Sequence, residues 1–212
     1  MFITIEGVDG AGKSTLVEGL YRYLLGRQYP VIKTREPGGS PVAEKLRAIA
    51  LSTKVSPLTE LYMFAAARAD HCSEIIIPSM LSGTWVLCDR FHGSTYVYQY
   101  KEKKVSLHNY SFVKQSILDL FTAEGIDWDV PHLEIILDVP YEIAIERLGT
   151  RNEGLNILDT LDSSVFNARR NAFIDYAALS TNNAFIIDAV CSSEQVLHMA
   201  KQKIEAELNS DL

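Results

Sequence analysis

The sequence predicts an α/β domain in which a parallel five-stranded sheet carries helices on both faces. Three observations lead there. Short apolar, β-branched runs recur at "FITIE", "YPVIKTRE", "WVLCDR", "HLEIILDV" and "AFIID". Longer stretches of helical periodicity separate them, and strand alternating with helix is the pattern of a parallel sheet. The runs are almost continuously apolar, as strands buried on both faces must be.

The first run leads straight into "GVDGAGKST", residues 7–15. Gly7, Gly12, Lys13 and Ser14 match G-x-x-x-x-G-K-S/T between a strand and a helix marked by Leu16, Leu20 and Leu24. In that context the backbone N–H groups of Val8, Asp9, Gly10, Ala11 and Thr15 and the helix N-terminus surround phosphates. Lys13 neutralises their charge and Ser14 holds Mg²⁺. The loop predicts nucleotide binding but leaves open whether the terminal phosphate goes to water or to a second substrate. Asp9 is ambiguous here: an Asx turn shaping the loop, or a carboxylate facing a second ligand.

The second run ends in "TREPGG", which brings Arg35, Glu36 and Pro37 to the edge where the loop lies, because ligands gather at the carboxyl ends of parallel strands. The third ends in Asp89, the expected acidic partner of Mg²⁺, and Arg90 follows at once. Two arginines at this edge suit a second phosphate, since guanidinium forks match phosphate oxygens. No convincing NKxD or DxxG motif of a switch GTPase accompanies them, which favours a second nucleotide as acceptor over water.

Between these strands, Ser56 and Pro57 open a long helix carrying Leu61, Phe64, Ala65 and Ile75. "KEKK", residues 101–104, reads as a solvated turn. Residues 148–164, rich in Gly, Asn, Asp and Thr, break the periodicity and read as a mobile lid between two helices. Ser192 and Gln195 form a capping box before Val196, Met199, Ala200 and Ile204.

The 212 residues fit a single domain, and 47% hydrophobic with 22% charged residues is ordinary for a soluble globular chain. A net charge of −7 argues against nucleic acid or an anionic membrane surface as partner. Three scattered cysteines (Cys72, Cys88, Cys191) and five histidines without ligand spacing give neither a disulfide framework nor a metal site. No apolar run reaches the ~18 residues of a membrane span, so the expected compartment is the cytoplasm.

Taken together, "FITIEGVDGAGKSTL", "TREPGG", "AEKLR", "MFAAAR", "DRF" with "STYVYQ", and "LDV" resemble bacterial thymidylate kinases, in order and from Phe2 to about Ala189. The resemblance implies a nucleoside-monophosphate-kinase type of P-loop fold with a lid, usually a homodimer. It also implies Mg²⁺-dependent transfer of the γ-phosphate of ATP to dTMP. On matching motifs, Phe64 would stack on thymine and Arg68 would bond its edge; their spacing of four puts them on one helical face. Arg90 would grip the acceptor phosphate with Arg35 and Arg47 nearby. Ser94, Thr95 and Gln99 would line the base and sugar site. Tyr98 would crowd the 2′ position and Asp9 would approach the 3′-hydroxyl. Read without the resemblance, Phe64 and Tyr98 are ordinary core aromatics. The other kinase of the same fold, acting on another nucleotide or a deoxynucleoside, and the P-loop switch ATPase are the alternatives.

Two segments depart from the family. "YKEKKVSLHN" stands where glycines are frequent, and the lid positions that often read Asp-Arg-x-Glu read Asn156-Ile157-Leu158-Asp159. Gly10 occupies a place where some members carry an arginine beside the transferred phosphate, and members with glycine there generally supply it from the lid. Arg151 is then the candidate, with Arg147 one turn earlier orienting the lid or binding phosphate.

Overall fold

All five apolar runs form strands: β1 (Phe2–Gly7), β2 (Val31–Arg35), β3 (Trp85–Asp89), β4 (Leu133–Asp138) and β5 (Ala184–Asp188). They pair in the order β2-β3-β1-β4-β5, every neighbouring pair parallel. The computed structural model describes residues 1–126, 130–149, 162–179 and 183–210. Its helices are α1 (Lys13–Gly26), α2 (Pro41–Ser52), α3 (Pro57–His71), α4 (Ile77–Leu81), α5 (His92–Thr95), α6 (Leu107–Ala123), α7 (Tyr141–Gly149), α8 (Ser163–Leu179) and α9 (Ser193–Ser210).

The period of two along the strands divides the core. Ile3 and Ile5 of β1 and Leu87 of β3 pack with Leu16, Leu20, Leu24, Phe166, Phe173 and Ile204 on one face. Phe2, Val86 and Cys88 pack with Ile76, Phe91 and Phe121 on the other. Both faces are therefore dry, which is why the strands read as unbroken apolar runs. Truncating a fully buried member such as Phe2 to alanine removes roughly 3–5 kcal/mol.

Helix starts follow the sequence signals. Ser40 and Ser56 accept from the N–H groups of Ala43 and Thr59, each ahead of a first-turn proline. The Ser192–Gln195 box closes both ways, at 3.1 and 3.3 Å. Three expectations change. The long helix ends at His71 and passes through a widened turn, Cys72–Ile76, that holds Ile75, before α4. "KEKK" is exposed from Glu102 to Lys104, as expected, but it begins inside a widened helical stretch, Tyr96–Glu102, and Lys101, Glu102 and Lys103 pair with Asp175, Arg169 and Glu60. The lid boundaries of 148 and 164 fall inside helices, since α7 runs to Gly149 and α8 begins at Ser163. Its centre, with Arg151 and Asn156–Asp159, lies outside the described residues. Among the described residues no helix is long and apolar enough to cross a membrane.

Candidate active site

Because β1 lies between β3 and β4, the loop that follows it sits over the middle of the sheet, facing the end of β3. The register sets Ile5 and Arg35 beside Asp89, so three strand ends reach the same edge. Lys13, almost buried, donates to the Val8 carbonyl at 2.8 Å. Burial and then the Arg90 charge push its ammonium down to about 8, against the pull of nearby carboxylates. Gly10 has φ +82°, and a Cβ there would stand 2.6 Å from the Ala144 carbonyl oxygen. No arginine fits at that position of this loop.

Asp89 and Arg90 are consecutive and face different partners. Ser14 Oγ donates to Asp89 Oδ2 at 2.9 Å, while Asp89 Oδ1 is buried with no hydrogen-bond partner among the described residues. An unpaired carboxylate oxygen beside a hydroxyl fits a hard divalent cation that takes its other oxygens from phosphates and water. Among the described residues no three His, Cys, Asp or Glu side chains cluster as a protein-only cage.

Arg90, with φ 76°, turns the other way. Its Nη2 donates to Asp9 Oδ1 at 2.5 Å; its Nη1 reaches the Gly7 carbonyl at 3.2 Å and Ser94 Oγ at 3.0 Å. Burial raises the Asp9 carboxyl, but Arg90, Lys13 and Arg169 outweigh it and hold the group below its ordinary range. Asp9 thus faces Arg90, and the Asx-turn alternative gives way to an ion pair with the turn after β3.

Glu6, which the sequence reading passed over, fixes this turn. It is wholly buried, accepts from Phe91 N–H at 2.6 Å and Ser94 N–H at 3.0 Å, and takes the Ser94 hydroxyl at 2.7 Å. A glutamate ending an otherwise apolar strand was the available signal.

The "TREPGG" turn is tied to α3. Arg68 Nε meets Glu36 Oε2 at 2.5 Å, its Nη1 reaches Thr95 Oγ1 at 3.0 Å and His92 Nδ1 at 3.3 Å, and its Nη2 reaches the Phe91 carbonyl at 2.9 Å. His71 bridges Glu36 and Thr34 at 3.1 and 2.7 Å. Gly39, at φ +92°, lies against the His71 ring where a Cβ has no space. Arg68 is therefore a buried junction with most of its donors committed, one turn beyond half-buried Phe64. Arg35 and Arg47 converge on the Pro37 carbonyl at 3.0 and 2.7 Å, and Arg35 also pairs with Glu44. Gln99 donates to Glu60 at 2.7 Å. Ser94, Thr95 and Gln99 thus have protein partners, while the guanidinium carbons of Arg90 and Arg169 stand over the Tyr98 ring, 5.4 and 5.2 Å from its centre.

On the far side of the loop a cavity of about 350 Å³ is lined by Gly10, Thr15, Arg147, Cys191, Ser192 and Val196, among others. Arg147 Nη2 donates to the Cys191 carbonyl at 3.4 Å. The sequence reading gave Cys191 and Ser192 of the β5–α9 turn no part in a site, and the turn's place beside the loop comes only from strand order.

A P-loop with a metal-suited carboxylate on one side and the Arg90 guanidinium on the other defines a nucleotide-dependent phosphotransferase of the nucleoside-monophosphate-kinase fold. The thymidylate kinase family model matches residues 5–200, and the chain belongs to that family. The thymidylate kinase of Bartonella henselae is 37% identical over 202 residues, 92% of this chain and 90% of its own length. That of Pseudomonas fluorescens is 36% identical over 209 residues, covering 97% and 93%. The crystal structure of thymidylate kinase from Ehrlichia chaffeensis superposes with a TM-score of 0.72 at 29% identity, covering 97% of this chain and 98% of that one. The chain is, with its family, a kinase.

Proposed function

We propose that the chain transfers the γ-phosphate of ATP to the 5′-phosphate of dTMP, giving ADP and dTDP. The observation that carries this reading is the divergence of Asp89 and Arg90 from one strand end, toward Ser14 and toward Asp9. One side suits the metal–triphosphate, the other an acceptor phosphate. An acceptor oxygen displaces ADP from the γ-phosphorus; that oxygen is already anionic, so no general base is needed. Mg²⁺, held by Ser14 and Asp89, would supply charge neutralisation on the triphosphate.

The remaining roles follow the same division. The loop from Gly7 to Thr15 takes the triphosphate, and the cavity by Arg147 and Cys191 takes the adenosine. Arg90, Arg35 and Arg47 take the acceptor phosphate; Phe64 and Arg68 take thymine, with Thr95 and Gln99 behind them. Tyr98 excludes a 2′-hydroxyl, and Asp9 addresses the sugar's 3′ side. Residues 150–161 act as the lid of a single domain, excluding water that competes as acceptor. A homodimer is supported by exposed apolar residues on α2, α3 and α6, among them Val42, Leu51, Leu58, Tyr62 and Phe112. Sedimentation at micromolar concentration should give twice the chain mass. The chain is expected to act in the cytoplasm.

ADP release should require dTMP and be slow with dUMP, dAMP, dCMP or thymidine. Equal ADP release without any acceptor would mean a switch ATPase, and rapid turnover of thymidine a nucleoside kinase.

A further inference from the structure

Arg169 lies on α8, two turns beyond the segment proposed as the lid, beside Tyr98 and within reach of the Asp9 charge. Its Nε and Nη2 meet the two oxygens of Glu102 at 2.6 and 2.8 Å, a bidentate fork. Glu102 ends the widened helical stretch that carries Tyr98 one turn earlier. From this clamp the guanidinium of Arg169 lies over the Tyr98 ring, 5.2 Å from its centre. Arg90 is 5.4 Å from that centre, and Phe173, also on α8, meets the ring edge-on at 6.2 Å and 78°. Tyr98 is therefore bounded by the acceptor-side arginine, by α8, and by a guanidinium whose own position is fixed by two hydrogen bonds.

We propose that Arg169, clamped by Glu102, is a positioning residue that holds the Tyr98 ring and thereby sets discrimination between deoxyribose and ribose in the acceptor. The proposal rests on Tyr98 acting as the 2′ gate. A steric gate works only if the ring cannot yield, because an added hydroxyl is poorly rejected by a pocket that can relax. The stacked guanidinium and its fork supply that resistance.

The test compares kcat/KM for dTMP and for ribothymidine monophosphate in the parent, Tyr98→Ala, Arg169→Met, Glu102→Gln, and Tyr98→Ala combined with Arg169→Met. Arg169→Met should lower the dTMP preference by roughly 5- to 30-fold, mainly by raising kcat/KM for the ribonucleotide. A merely structural role would instead depress both substrates together. Glu102→Gln, which keeps Arg169, should shift the ratio in the same direction, and it carries the test should Arg169→Met fold poorly. In the Tyr98→Ala background Arg169→Met should change the ratio no further, since the two act as a unit. If Tyr98→Ala loses the preference while Arg169→Met and Glu102→Gln keep it, the gate stands and the positioning role of Arg169 is overturned. If Tyr98→Ala keeps the preference, the gate itself fails and the proposal fails with it.

Discussion

Arg90 donates to the Asp9 carboxylate at 2.5 Å and so ties the turn after β3 to the phosphate loop, across 81 positions of sequence. The pair links the two sides proposed for the substrates. Asp9 is more than half exposed, so what matters is the orientation of Arg90 and not the strength of an isolated ion pair. Arg90→Lys keeps the charge and loses the fork; it should raise the KM for dTMP by about 10- to 100-fold and leave that for ATP within about threefold. Asp9→Asn should cost less. The double variant should be less than additive, because both changes free the same guanidinium. Steady-state kinetics with each substrate varied decides this, and an equal rise in both KM values would count against the division of roles.

How much of this the sequence carried depends on whether a feature is local. The strands, the loop and the caps at Ser56 and Ser192 were legible, because each is written within a few consecutive residues. The junctions were not. Glu6 meets Phe91 and Ser94, Glu36 meets Arg68 and His71, and Arg169 meets Glu102, all pairings of distant segments that only the order β2-β3-β1-β4-β5 brings together. Charged residues inside apolar runs were the trace they left. The ion pairs of "KEKK" were illegible for the same reason: the partners Asp175, Arg169 and Glu60 lie on other elements.

Lys13 gives a pH prediction. In the free protein its ammonium titrates near 8, pushed down by burial and by Arg90. Only the protonated form attracts the triphosphate, and bound phosphates pull the pKa back up. As pH rises through 8 the free protein loses that charge, so the KM for ATP should climb toward tenfold per pH unit between about 8.5 and 9.5. The kcat, which reports the loaded protein, should stay flatter over that range. A KM for ATP constant from pH 7 to 9.5 would mean that Lys13 stays protonated throughout.

A second titration affects stability, away from the chemistry. Glu134 of β4 is buried, takes the Tyr176 hydroxyl at 2.9 Å, and is pushed up to about 7 by burial and by the neighbouring Glu6. A carboxyl whose folded pKa lies above its unfolded value of 4.5 binds its proton more tightly when folded. Its contribution is therefore fully present below pH 4.5 and is lost as pH rises to 7, on the order of 3 kcal/mol in all. Glu134→Gln removes the titration while keeping an acceptor for Tyr176. Urea unfolding of both proteins from pH 5 to 8 should show the parent losing ground to Glu134→Gln as pH rises. A constant difference would place the folded pKa near its unfolded value.

The transferred phosphate needs a cation where charge develops, and the loop cannot provide one at Gly10, where the Ala144 carbonyl leaves no room for a side chain. The arginines in and around the lid segment are four: Arg147, Arg151, Arg169 and Arg170. Arg170 is held by both oxygens of Asp138, at 2.5 and 2.8 Å, and Arg169 by both oxygens of Glu102. Arg147 lines the cavity on the adenosine side and reaches the Cys191 carbonyl. Arg151 follows Gly149, the last residue of α7, by two positions and lies outside the described residues. We propose Arg151, the candidate that the family resemblance implies, as the arginine that meets the γ-phosphate. Arg151→Ala should lower kcat by on the order of 10²-fold or more with a smaller change in the KM for dTMP, because the interaction it removes forms mainly in the transition state. Arg147→Ala should act chiefly on the KM for ATP. If Arg151→Ala keeps the parental kcat, the phosphate is stabilised by Lys13 and the metal alone, and Arg151 is a solvated residue of the lid.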